Sequence, residues 1–464
     1  MHRLELFLSS VVCLGLSAGV GWAAESPPSV GRIAVIAGAA QYHSSDGDWA
    51  AALVNEPVGD GVALRTEADS EAELRSPGAE IALAPSSELR VLRFDESALQ
   101  IALSSGRLGI HLDMVGGTPP TVELDLPQGG VWLTAPGDYD ITVGDARMAP
   151  AIEVFAGNAQ LGGGLEPSRV VTAERDWFSD WWRSQDDGAD LTTAPSPALP
   201  GAAALANAGR WEIDPKLGDV WFPSDVAADW APYRDGIWRY VQPWGWTWID
   251  NAPWGFAPSH YGRWAQVDGR WGWVPGDHVA AADYRPAVVA FLGTAGFGLS
   301  RPGDIGAIPA VAWFPLAPGE TLGDGKEAGY ANRQFTTAVP RTSFAAGLPV
   351  ATAVVNDMPG QRFLDAPVIL DGLNIAPSGA VPVVAAEKPA IAAVATAAGA
   401  DAAPETGARQ PFFVVLRDAP IRVIREVRRQ VRVAATILSA HPSLASTLHS
   451  PHNRRHLAAA RGGA

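Results

Sequence analysis

The sequence predicts an all-β protein, and three observations carry that prediction. Residues 31–165 fall into short runs that alternate apolar and polar, broken by Gly, Pro, Asp or Ser roughly every 8–12 residues. The three-four spacing of an amphipathic helix is missing from that stretch. Further on, Trp244 to Gly276 packs seven tryptophans into thirty-three residues laced with glycine and proline. That composition suits aromatic hairpins and not helices.

The first segment, residues 1–23, has Arg3 near its start, an apolar run from Leu6 to about Val20, and Gly21 and Ala23 at its end. A run of about 15 residues is short for a membrane span of about 20, so it predicts a secretory signal cleaved after Ala23. Periplasmic or secreted localisation follows as an expectation. Cys13 is the only cysteine and lies inside that run. The mature chain is therefore expected to fold in an exported compartment without disulfides or cysteine-bound metal. Large aromatic side chains then supply burial that a glycine-rich chain lacks.

Residues 31–165 form the first predicted β-module. Its runs include RIAVIAGAAQY, AEIALAPSSELRVLRF, ALQIALSSGRLGIHL and GGVWLTAPGDYDITVG. GRIAVIAGAAQY at the opening, NEPVGDGVALRTEADSEAELRSPG, SSGRLGI and the closing EVFAGNAQL together resemble a FecR-type domain. The resemblance implies a twisted β-roll and an extracytoplasmic location. Signalling members of that family carry a cytoplasmic segment and a membrane helix ahead of the domain, whereas a cleavable signal is expected here. The resemblance thus speaks for fold and compartment more than for signalling.

Residues 166–210 are expected to connect two modules, with RDWFSDWWRSQDD as a short amphipathic helix presenting Trp177, Trp181 and Trp182, then a flexible Pro/Ala linker. Residues 211–373 form the Trp-rich module and its extension. GIWRYVQPWGWTW (236–248) is echoed by GRWAQVDGRWGWV (262–274) at an offset of 26 or 27, and VWFP (220–223) by AWFP (312–315). Two copies are too few for a solenoid, so the echo predicts paired hairpins in one compact β-domain. GDVWFPSDVAADWAPYRDGIW, APWGFAPSHYGRW, WGWVPG, YRPAVVAFLG and AWFPLAPGE resemble a segment found behind FecR-type domains in exported bacterial proteins. That resemblance implies architecture and compartment and brings no activity with it.

Residues 374–410 are Ala/Pro-rich and predict a disordered linker. Residues 411–464 hold nine arginines against Asp418 and Glu426, a balance of +7, so the rest of the chain carries −16 − 7 = −23. An acidic body argues against nucleic acid as a partner. The basic end, with APIRVIREVRRQVRVAATILSA as an amphipathic helix, points to an anionic membrane surface, a cell-wall polymer or a protein partner.

Trp244, Trp246 and Trp248 alternate, as do Trp271 and Trp273, so each set would share one strand face. With Trp254 and Tyr261 they are the candidate ligand-binding residues, a platform on which sugar rings could stack. The competing reading makes the same rings core, and their number favours it, because an exposed strip of five tryptophans invites aggregation. No metal site is expected. His260, His278, Asp277 and Asp283 lack the close spacing of a ligand set, and His449, His452 and His456 sit in a predicted tail. No cofactor is expected and no catalytic residue is assigned, since nucleophile elbows and phosphate loops are missing. Asp225 with Asp229, or Asp235 with Asp250, could imitate a glycosidase pair. The sequence therefore predicts a non-enzymatic exported envelope protein that binds or scaffolds, with glycan the first ligand class. A carbohydrate-active hydrolase and an envelope signal sensor working by protein contact stand as alternatives.

Overall fold

The computed structural model describes residues 30–44, 48–95, 98–114, 121–144, 149–163, 170–185, 199–276, 284–293, 298–299, 308–323, 329–354, 366–370 and 373–378. All belong to one compact unit. The expected signal segment, the 374–410 linker beyond residue 378 and the basic 411–464 segment lie outside them. The described chain is predominantly β. None of its helices is long and apolar enough to cross a membrane.

Two eight-stranded sheets build the first module. One runs, neighbour to neighbour, Val170–Thr172, Ala151–Val154, Gly137–Thr142, Arg107–Leu112, Ala79–Leu83, Glu71–Ser76, Gly31–Ala37 and Pro57–Val58. The other runs Ala159–Gly163, Gly129–Leu133, Thr121–Leu126, Ala98–Ser105, Glu88–Asp95, Ala63–Thr66, Ala40–His43 and Ala50–Ala51. Alternation decides the packing. Val122, Leu124 and Leu126 point into one apolar core with Leu99, Ile101 and Leu103 from the parallel neighbour and Leu108, Ile110 and Leu112 from the first sheet. Pairing is antiparallel except where Thr121–Leu126 meets Ala98–Ser105 and Val170–Thr172 meets Ala151–Val154.

The module runs past the expected end at residue 165. Besides the strand Val170–Thr172, the helix Trp177–Ser184 packs onto its first sheet. Asp176 caps that helix by accepting from the Ser179 amide, while the Ser179 hydroxyl accepts from the Asp176 amide. Phe178 and Trp182 are buried against Ala82 and Ala84, whereas Trp177 is 59% exposed. A Cβ at Gly109 would meet the Trp182 indole at 2.5 Å, so this glycine makes room for the docked ring. Arg107 ties helix to sheet by pairing with both Asp140 and Asp176. The helix is thus a cap on the first module and not a free connector.

The Trp-rich module likewise begins before residue 211. Leu199, Ala202 and Leu205 already belong to its core, as does Val30. Its hairpins are Gly209–Asp214 with Gly218–Pro223, Gly236–Val241 with Gly245–Asp250, and Arg263–Val267 with Arg270–Val274. The first and third join into a four-stranded sheet, and the second stands as a two-stranded ribbon. A five-stranded sheet around Ile308–Pro315 and Val289–Leu292 completes the module. The Arg263–Val274 hairpin turns on Asp268 and Gly269 alone, at φ 49 and 76. This is the left-handed pair that an Asp-Gly dipeptide supplies.

The echoed segments are both hairpins, but their register corrects the offset read from sequence. Trp238 pairs with Trp248 and Tyr240 with Trp246; in the later hairpin Trp264 pairs with Trp273 and Gln266 with Trp271. Trp246 therefore corresponds to Trp271 and Trp248 to Trp273, an offset of 25 on the returning strand. The cause is turn length. Val241 to Gly245 encloses three residues and Val267 to Arg270 only two.

Candidate functional site: the tryptophan core and its junction

Five of the seven candidate residues are interior. Trp248 is fully buried, Trp273 and Tyr261 nearly so, and Trp246 and Trp271 are 8% exposed. Trp244 and Trp254 are half-buried. The rings meet edge to face or tilted, with Trp238 at the centre of one group. It lies 5.5 Å from Trp248, 5.4 Å from Trp313 and 5.1 Å from Phe291, between ring centroids. Trp246 packs 4.5 Å from Phe344, and Trp271 4.8 Å from Phe335. Trp254 bridges Trp221 and Trp230 at 5.0 and 5.8 Å. Edge-to-face geometry suits the indole quadrupole, so each contact adds to the apolar burial.

Burying an indole also buries an N–H, which must be satisfied. Backbone carbonyls do most of this. Trp221 donates to Leu205 O, Trp246 to Ile375 O, Trp264 to Pro258 O, Trp273 to Tyr261 O and Trp313 to Tyr233 O, all between 2.9 and 3.1 Å. Trp248 instead donates to Asp250 Oδ2 at 2.9 Å. Trp246 and Trp248 do share a face, as alternation requires, but that face is covered by Phe344, Trp313 and Tyr233. Trp244 leaves the ladder because it sits in the turn, where it meets Tyr284 at 5.2 Å. Five of the seven rings of the expected sugar platform are in this arrangement core rings, and Trp244 and Trp254 lie at its edge.

Of the acidic candidates, Asp225 and Asp229 are exposed, and Asp235 lies near enough to Asp250 to act on its charge. Asp235 accepts from Asn251 at 2.7 Å. Asp250 is buried, with Oδ2 taken by Trp248 and Oδ1 by the Ala252 amide. Burial pushes its carboxyl up to about 6 against those two donors. His260 is 1% exposed; its Nδ1 lies 2.8 Å from Arg285 O and its Nε2 has no hydrogen-bond partner. Burial brings its imidazole down to about 4. It packs on Phe256 and Tyr284 at 4.7 and 4.8 Å as the last residue of the short helix Phe256–His260. Among the described residues no group of three or more His, Cys, Asp or Glu could hold a metal. His278, Asp277, Asp283 and the tail histidines lie outside them.

A polar junction joins the two modules, and the sequence reading missed it. Asn55, at φ 68, donates its amide to Asp250 O at 3.0 Å and Ala252 O at 2.7 Å. Glu56 is fully buried and accepts from Arg239 at 2.5 Å, while Arg239 also donates to Ala51 O. Burial raises the Glu56 carboxyl and the Arg239 guanidinium opposes that. Trp244 packs on both cores, and a Cβ at Gly59 would meet its ring at 2.7 Å. The Asn-Glu-Pro-Val-Gly stretch of the first module is thereby the socket for the Gly236–Asp250 hairpin.

Fold and site thus define a predominantly β protein whose second module is walled by tryptophan and seated on the first. Residues 202–320 of that second module match the model of a family of unknown function (DUF6600). No curated protein and no solved structure matches the chain.

Proposed function

We propose that the protein is a non-enzymatic binding or scaffolding module exported to the cell envelope, periplasmic or secreted. The observation that carries this reading is the use of the aromatic residues. The rings are spent on an interlocked core, and the Glu56–Arg239 and Asn55 contacts seat that core on a second β-module. Such a build suits a rigid frame that presents surfaces. The resemblance of residues 31–165 to FecR-type domains supports the envelope location and a β-roll for the first module. The arginine-rich 411–464 segment supplies charge for an anionic membrane surface, a cell-wall polymer or a protein partner.

Glycan is the first ligand class, met at the half-buried Trp254 edge beside Trp230 and not by the enclosed ladder. Retention of the full chain on insoluble cell-wall glycan tests this. Wild type should be retained, and Trp254→Ala should stay folded yet lose about 1–3 kcal/mol of binding, as for stacking on flat ligands. Wild-type protein that washes through would overturn the glycan reading. Release of new reducing ends would put the hydrolase reading in its place.

A further inference from the structure

The outer face of the second sheet of the first module carries a cluster that the tryptophan core does not explain. Along the strand Thr121–Leu126, Glu123 and Asp125 face away from the core residues Val122, Leu124 and Leu126. Cross-strand register puts Trp132 beside Glu123 on one side and Gln100 on the other. In the next row Gly130 and Gly162 lie beside Asp125. The Trp132 ring lies over both glycines, since a Cβ would meet it at 2.7 Å at Gly130 and at 2.6 Å at Gly162. Those two glycines form the floor on which a half-buried indole lies flat.

Glu123 is only 2% exposed, and neither of its carboxylate oxygens has a hydrogen-bond partner. The indole N–H of Trp132 is also buried without one. Asp125, half-buried, accepts only from Gln100, at 2.9 Å. The arginines of the neighbouring strand are engaged elsewhere, Arg93 with Asp95 and Arg90 with Gly61 O. Gln160, across from Trp132, is uncharged and exposed. Two adjacent carboxylates thus share one face with no cation among the described residues paired to either, an arrangement that costs stability unless a proton or a cation arrives.

We propose that this face is a binding site for a primary ammonium group, with Glu123 and Asp125 as counter-charges and Trp132 as the aromatic wall. An ammonium is a compact cation with three N–H donors, enough to reach both free oxygens of Glu123 and one of Asp125. Its alkyl or sugar stem lies on the indole, where the ring quadrupole favours positive charge. A neutral sugar would leave both carboxylate charges unmet. Burial, and Asp125 after it, pushes the Glu123 carboxyl up to about 7, while the Trp132 N–H beside it acts in the opposite sense. The site therefore gains its full charge only above neutral pH. The proposal is independent of the glycan reading, which concerns a different module and an uncharged ligand.

Isothermal titration of the full chain with spermidine and with a glucosamine tetramer tests it, since the two probes separate a polyamine from an amino-sugar source. The fully N-acetylated tetramer serves as the uncharged control. At least one amine should bind, any binding of the N-acetylated tetramer should be unchanged in Glu123→Gln, and amine affinity should rise between about pH 6 and 8 as Glu123 ionises. Glu123→Gln should lower affinity about tenfold and flatten that pH dependence, and Asp125→Asn and Trp132→Phe should each weaken binding severalfold. Asp225→Asn, which removes an exposed charge in the other module, should change nothing. Circular dichroism confirms that each variant is folded. The proposal is overturned if neither amine binds at about 10 mM. It is also overturned if Asp225→Asn weakens binding as much as Glu123→Gln does, which would mark diffuse attraction to an acidic protein.

Discussion

Replacing Trp248 separates the two jobs its indole performs. The ring is fully buried and lies 5.5 Å from Trp238, 5.7 Å from Tyr233 and 6.4 Å from Trp313. Removing it in Trp248→Ala opens a cavity walled by rigid rings that cannot collapse, which costs about 3–5 kcal/mol. The same change strips Asp250 Oδ2 of its indole donor. An orphaned buried acceptor adds about 1–3 kcal/mol, so the sum is about 4–8 kcal/mol, comparable with the whole stability of a domain. Trp248→Phe keeps most of the ring and loses the N–H, so it should cost about 2–4 kcal/mol.

Urea unfolding followed by near-ultraviolet circular dichroism, which reports packed indoles, measures both variants. A double-mutant cycle of Trp248→Phe with Asp250→Ala isolates the hydrogen bond, and a coupling of about 1.5–3 kcal/mol is expected for a charged acceptor. A cost below about 2 kcal/mol for Trp248→Ala would refute the claim that these rings are core. It would return the ladder to the status of a ligand platform.

Two further predictions follow from the junction and its neighbours. His260, held at about 4 against an ordinary 6.5, contributes stability present above pH 6.5 that is lost as pH falls toward 4. Asp250, held at about 6 against 3.8, contributes in the opposite sense, with stability full below 3.8 and lost as pH rises through 6. Each gap is worth about 3 kcal/mol, so the two nearly cancel across that window. Relative to wild type, His260→Gln should become more stable as pH falls from 6.5 to 4 and Asp250→Asn less stable; parallel pH–stability curves would refute the assignment. At the socket, Gly59→Ala drives a methyl into the Trp244 ring and should cost about 1–3 kcal/mol. In a Trp244→Ala background the same change should cost almost nothing, and an equal penalty in both backgrounds would show that the ring is not what Gly59 accommodates.

Local chemistry was legible and long-range chemistry was not. Alternation marked ALQIALSSGRLGIHL as strands, and its Leu99, Ile101, Leu103, Leu108, Ile110 and Leu112 are core, because strand period is a property of neighbouring residues. The echo between hairpins was visible, yet its register was not, since one extra turn residue slides the returning strand. The two readings of the ladder divide on what covers the rings. Those covers come from Phe344, Phe335 and the Ile375 carbonyl, up to 129 residues downstream and carrying no mark of their role. Asn55 bonding across 195 residues to Asp250 had no local signal beyond an Asn in NEPVGDG.

The hairpin seat and the outer sheet face use their polar residues in different ways. Where the Gly236–Asp250 hairpin meets the first module the buried groups pair within this chain: Asp250 with Trp248 and Ala252, Glu56 with Arg239, Asn55 with two carbonyls. Those groups specify one arrangement of hairpin on socket, because any slip would strand a buried charge or amide. On the outer face of the first module, Glu123 has both oxygens and Trp132 its N–H without partners. The paired seat fixes how one module sits on the other, whereas the carboxylate and indole of the sheet face are where a cation from outside gains most.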